Sequence, residues 1–150
     1  MKLNSVDEIL DYAIQKEQEA ADFYSDLAGQ MEHTNMKHVF LSFSAEEQGH
    51  KSKLLAVKSG KKMLSSAQKV QDLKIGDYLV DVALTPGLDY QDVLIVAMKA
   101  EKAAFKLYND LAETTDDANL RTVFLGLAQE EARHKLRFEI EYDDHMLNDN

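Results

Sequence analysis

The 150-residue chain has no cysteine and no tryptophan, a single proline and six glycines. The missing cysteine excludes disulfides, Cys-ligated zinc, iron–sulfur clusters and a rubredoxin-type iron centre within this chain. So few proline and glycine residues leave little to interrupt a helix, and long helices are expected. No apolar run approaches the roughly 18 residues of a membrane span, and the start of the chain lacks the apolar core of a secretory signal. A soluble, cytoplasmic protein is therefore expected. Acidic residues outnumber basic ones 27 to 17, and the net charge of −10 argues against nucleic acid or an anionic membrane as partner. With 45% apolar and 29% charged residues, the chain reads as one domain over 1–150, long enough to bury a sizeable core.

What the sequence does have is one two-part pattern, present twice. Glu17, inside AIQKEQEAADFYSDLA, is followed by Glu47-Gln48-Gly49-His50; Glu101, inside AMKAEKAAFKLYNDLA, is followed by Glu131-Ala132-Arg133-His134. The offset is 101 − 17 = 84, and Glu47, His50 and Tyr24 recur without a gap at Glu131, His134 and Tyr108. Each of these Glu and His residues interrupts an apolar stripe of helical period. The stripes read Val6, Leu10, Ala13, Glu17, Ala20, Tyr24, Leu27, then Met36, Phe40, Phe43, Glu47, His50, Leu54, Val57. In the second half they read Leu94, Ala97, Glu101, Ala104, Tyr108, Leu111, then Leu120, Phe124, Leu127, Glu131, His134, Phe138.

Four inward carboxylates are costly in a dry core unless positive charge accompanies them or they take up protons. Two divalent cations supply the required +4, and residues three apart on a helix can ligate one centre together. This is the ligand set of a two-metal carboxylate site in a four-helix bundle. A lone Glu-x-x-His is common on solvated helices, whereas two copies at one fixed interval after an inward Glu are hard to obtain there. The alternative is a duplicated hairpin that has lost its metal and keeps these residues as a buried polar network.

Four helices are expected. The first opens at Ser5, where Ser5-Val-Asp-Glu8 has the form of a capping box, and runs to about Gln30. The second runs from Thr34 or Asn35 to Ser59, with Gly60 in the C′ position. The third runs from Asp89 to about Glu113, and the fourth starts after Thr114-Thr115 and continues into the 140s. Residues 60–88 are a long connection, with a short helix around Gly76 to Leu84 before Thr85-Pro86-Gly87. The repeat thus covers about 5–59 and 89–143. Short loops make each half an antiparallel hairpin, and the long link forms the single crossover of an all-α bundle.

AIQKEQEAADFY with SAEEQGH, and AMKAEKAAFKLY with AQEEARH, resemble the ferritin-like domain of the rubrerythrin family over nearly the whole chain. The resemblance implies a ferritin-like four-helix bundle holding two iron ions, or manganese or zinc. It implies that Glu17 and Glu101 are single-Glu ligands, that Glu47 and Glu131 are the often bridging carboxylates, and that His50 and His134 are terminal nitrogen ligands. It further implies peroxide reduction in oxidative-stress defence. Two departures stand out. Ala104 occupies the position of a further family Glu that exchanges with a His during redox cycling, and the cysteine-rich rubredoxin domain is missing. An external electron donor such as a rubredoxin is then required, with hydrogen peroxide or dioxygen as oxidant.

Two other functions fit the same residues: iron oxidation or storage in an assembled shell, and a metal-free interaction bundle. Tyr24 and Tyr108 are either hydrogen-bonding partners of the ligand carboxylates or ordinary core tyrosines. Glu46 and Glu130 rotate away from the stripe and read as solvated, as do His33, His38 and His145, and the lysines of 51–62 read as the solvated end of the second helix. A homodimer is expected, burying the connection around Tyr78-Leu79-Val80 and Val82-Ala83-Leu84.

Overall fold

The computed structural model describes residues 6–32, 34–60 and 89–148. Among them there is no strand. Four helices account for nearly all: α1 Val6–Gln30, α2 Thr34–Gly60, α3 Tyr90–Thr114 and α4 Ala118–Asn148. The chain divides into two compact units, one built on α1 and α2, the other on α3 and α4. The expected Ser5 cap, His33 and the 61–88 link, on which a short helix and a dimer contact were expected, lie outside the described residues. No described helix is long and apolar enough to cross a membrane.

In the first hairpin the cross-links show antiparallel helices, because the α1 number falls as the α2 number rises. Ser44 Oγ donates to the Ala21 carbonyl at 2.7 Å, Lys51 Nζ to Gln18 Oε1 at 2.7 Å, and Lys58 Nζ to the Asp11 carboxylate. Lys51 and Lys58 are thus bonded to α1 and are not simply a solvated helix end. Gln18 and Asp11 on α1 give them partners that α2 alone does not reveal. Tyr24 packs its ring on Phe40 and Phe43, with centroids 6.1 and 6.2 Å apart. Gly60, expected just past α2, is its last residue.

The second hairpin turns in three residues, 115–117. Asp117 caps α4: its Oδ1 accepts from the Asn119 and Leu120 amides at 2.9 and 3.0 Å, satisfying two donors that a helix start leaves open. Thr115 Oγ1 accepts from the Asp117 amide, and its carbonyl accepts from Arg121 Nη2. Asp89 caps α3 through the Asp92 amide. At that same end Tyr90 donates its hydroxyl to Glu141 at 2.9 Å, and its ring meets His145 edge-on. Burial and that hydrogen bond push the Tyr90 phenol well above its ordinary range, so it stays a donor. His145, expected at the surface, is half-buried instead, held by an aromatic partner 55 residues earlier in sequence.

The stripes are buried nearly as they read. Leu10, Ala13, Tyr24 and Leu27, then Met36, Phe40, Phe43 and Leu54, are core residues, as are Leu94, Ala97, Tyr108, Leu111, Leu120, Phe124, Leu127 and Phe138. Ile9, Ala21, Val93, Val96, Leu107 and Ala128 join them, because a bundle helix buries a face wider than a single stripe. Ala20 and Ala104 are half-buried at equivalent places, and Val57 is half-buried as well.

Two substitutions in α4 should move stability in opposite directions. Asp117→Ala removes both capping bonds and should cost about 1 kcal/mol. Gly126 lies on an exposed turn where an added Cβ meets nothing within 4 Å, so Gly126→Ala should stabilise by about 0.5–1 kcal/mol. Urea unfolding of the two variants beside the parent, in the same metal state, measures both.

Candidate metal centre

Glu17 sits in the middle of α1, and Glu47 and His50 sit one turn apart on α2. Glu101, Glu131 and His134 repeat this arrangement on α3 and α4. Positions three apart on a helix project the same way, so each Glu-x-x-His delivers an oxygen and a nitrogen to one point. The facing helix of the same hairpin adds a second carboxylate.

All six side chains are almost fully shielded. Exposure is 2% for Glu17, 1% for Glu47, 2% for His50, 2% for Glu101, 1% for Glu131 and 0% for His134. In the first hairpin His50 Nδ1 lies 3.5 Å from Glu17 Oε2 and 3.4 Å from Glu47 Oε1. In the second, His134 Nδ1 lies 3.4 Å from Glu101 Oε1 and 3.8 Å from Glu131 Oε1. Nδ1 is the imidazole atom turned to the carboxylates in both. The atoms converge at these distances. Within each trio, one ligand atom from every side chain lies within 4.8 Å of the others.

Two carboxylates and an imidazole gathered at this spacing, out of water, form a donor set that fits a divalent metal. Hard oxygen ligands and a neutral ring nitrogen suit iron, manganese or zinc. A surface cluster of acids would look different, since its members would be solvated and spread apart. The donor chemistry and the burial agree, so the residues present fit the metal the sequence implies.

Every expected ligand falls in one of the two trios. Tyr24 and Tyr108 are both buried, with 1% of their surface exposed. Glu46 and Glu130 are half-buried beside the ligands they precede, less solvated than their position one step off the stripe suggested. His38 is exposed, as expected. Tyr12 is a buried phenol that the sequence reading did not single out. Its position, five residues before Glu17, falls off the ligand stripe, and only its aromatic character could have drawn notice. Burial, followed by the nearby Glu19 charge, pushes that phenol above its ordinary range.

The fold is shared with solved proteins. A hypothetical protein from Pyrococcus furiosus superposes with a TM-score of 0.73 at 24% identity, covering 93% of this chain and 89% of that one. A Thermotoga maritima protein, provisionally described as a ferritin-like diiron-carboxylate protein, superposes with a TM-score of 0.75 at 20% identity, covering 97% of each chain. No curated protein sequence matches this chain at a significant level. The model of the ferritin-like domain family matches residues 5–139, a span that takes in all six candidate ligands. Four helices, two buried Glu/His trios at equivalent places and that match together make this chain a member of the ferritin-like domain family.

Proposed function

We propose that the two trios together hold a pair of iron ions, and that the protein reduces hydrogen peroxide to water with electrons from a separate donor, in the manner of rubrerythrins. The observation that supports this reading is the duplicated trio itself, two carboxylates and one imidazole buried in each hairpin.

The side chains do three things in this reading. Glu17 and Glu47 in one trio, and Glu101 and Glu131 in the other, would each supply two negative charges to offset one divalent cation in a buried setting. His50 and His134 turn Nδ1 to the carboxylates, one per trio, and would offer one nitrogen donor to a metal held there. The helix bodies hold these groups in place, because every ligand lies well inside a helix and away from its fraying ends. Iron held by Glu17, Glu47 and His50 and by Glu101, Glu131 and His134 would supply one-electron redox chemistry at each trio. The overall reaction takes hydrogen peroxide, two protons and two electrons to two waters.

Ala104 bears on speed. A half-buried methyl group cannot replace a ligand that moves on and off, so a fixed ligand set is expected throughout the cycle. The chain contains no cysteine with which to hold an electron-delivering iron centre of its own, so sustained turnover calls for a rubredoxin-like partner.

Metal should stabilise the fold. Metal at about 100 times its dissociation constant contributes about 2.7 kcal/mol, so chelation should lower the melting temperature by on the order of 5–10 °C. Glu47→Ala combined with Glu131→Ala should bring metal content below two per chain, as read by elemental analysis. An unchanged melting temperature together with full metal in that variant would refute the buried centre.

The activity has its own test. Stopped-flow mixing of the di-ferrous protein with peroxide should show oxidation much faster than that of aqueous ferrous ion, and His50→Ala or His134→Ala should slow it. Continued turnover should depend on an added rubredoxin and its reductase. Oxidation much faster with dioxygen than with peroxide would instead point to an iron-oxidising protein.

A further inference from the structure

α4 turns an apolar face outward as well as inward. Leu125, Ala132, Leu136, Ile140 and Leu147 fall within about 80° of arc at 3.6 residues per turn, and the large ones are exposed, Leu136 at 56%. Single exposed leucines need no explanation, whereas a stripe on one face does. His134 stands two residues before Leu136 and about 160° round the helix, so the buried imidazole and the exposed leucine lie on opposite sides of one turn. A molecule seated on Leu136 is separated from the His134 ring by one helix diameter, roughly 10–12 Å. Electron transfer slows steeply with distance, so this face is a short way in for electrons from outside.

Charge indicates what kind of molecule fits there. Residues 132–138 carry Arg133, Lys135 and Arg137 and no acid, in a chain of net charge −10. Arg133 and Arg137 lie about 60° and 100° round from Leu136 and rim one side of the stripe. Arg133 is exposed, and Arg137 is steadied by Glu141, whose Oε2 lies 3.8 Å from its Nη1. An apolar centre with an arginine rim suits a partner whose own apolar patch is ringed by carboxylates. The net negative charge of the rest of the chain repels such a partner and favours this one approach.

The repeat provides an internal control. Moving back 84 positions, Gln48, Ser52 and Ala56 of α2 stand where α4 has Ala132, Leu136 and Ile140, and Gly49 stands where it has Arg133. Lys51 and Lys58 of α2 are bonded to Gln18 and Asp11 on α1. Leu41 and Leu55 are exposed on α2, at 44% and 43%, but Gln48 and Ser52 part them. The fold therefore does not require an apolar outer face at this place. α4 joins such a face to an arginine rim, and α2 does not.

We propose that the outer face of α4, centred on Leu136 and rimmed by Arg133 and Arg137, is the docking site of a small acidic one-electron carrier protein, and that electrons enter through the His134 turn. Each docking event passes one electron from the reduced carrier to a ferric ion, and two events restore the ferrous pair. The inference rests on the reading of the trios as an iron centre served by a separate donor, while the docking itself needs no metal.

The probe is an acidic rubredoxin. Added to the full chain carrying labelled methyl groups, it should shift the signals of Leu136 and Ile140 and leave those of Leu41 and Leu55 unmoved, and added salt should weaken the complex. Leu136→Glu and Arg133→Glu should each weaken binding about tenfold or more and slow rubredoxin-driven reduction of the ferric protein by a similar factor, whereas Arg133→Lys should keep most of both. Metal content, reduction by dithionite and oxidation of the ferrous protein by peroxide should match the parent in all three variants. Slow reaction with peroxide would end the peroxidase reading alone, because the methyl signals decide the docking with or without metal. Rubredoxin that leaves the Leu136 signal unmoved, or reduces Leu136→Glu as fast as the parent, overturns the proposal. A dimer of the chain that Leu136→Glu dissociates also overturns it, since a second copy then holds the face.

Discussion

Charge held out of water is the constraint around which the rest is arranged. Four carboxylates are kept within 2% of full burial, and no arrangement of leucine and alanine around them offsets the lost hydration. The sequence meets this by concentrating them. Each hairpin brings two carboxylates to one imidazole and keeps the remainder of its inward stripes apolar. Placing these residues at helix centres fixes their separation within each hairpin.

The buried Glu and His residues were legible in the sequence because each is a polar interruption in an otherwise apolar period, and because the interruption recurs 84 residues on. A single copy of Glu47-Gln48-Gly49-His50 would not have been separable from a solvated helix face. The helix limits were legible for a similar reason: Thr114-Thr115 and Asp89 are strong boundary residues at the places where periodicity stops. Contacts that depend on hairpin register were not. Nothing in the local sequence of Lys58 points to Asp11, and nothing around His145 points to Tyr90. The half-burial of Ala20 and Ala104 was equally hidden, since alanine fits an open turn as well as a closed one.

Departures from the repeat are as informative as the repeat. The inner positions hold Tyr, Phe, Glu and His in both halves, with Tyr24 and Tyr108, and Phe40 and Phe124, at equal offsets and equally buried. The outer positions drift. α2 presents Lys51 and Lys58 to α1, whereas the corresponding residues of α4 are Lys135 and Tyr142, and Tyr142 is bonded to Gln91 of α3. The two halves thus share their buried positions while each hairpin carries its own surface.

Each trio lies entirely within one hairpin whose helices are joined by only a few residues. Contacts between near neighbours in sequence form with little loss of chain entropy, whereas closing the link from Gly60 to Asp89 must wait for both of its ends to be placed. Two carboxylates and an imidazole can therefore gather in each half as that half folds, before distant parts of the chain are ordered. The polypeptide need not be complete for the first trio to exist. During synthesis α1 and α2 leave the ribosome with a three-ligand set already encoded in their local pairing.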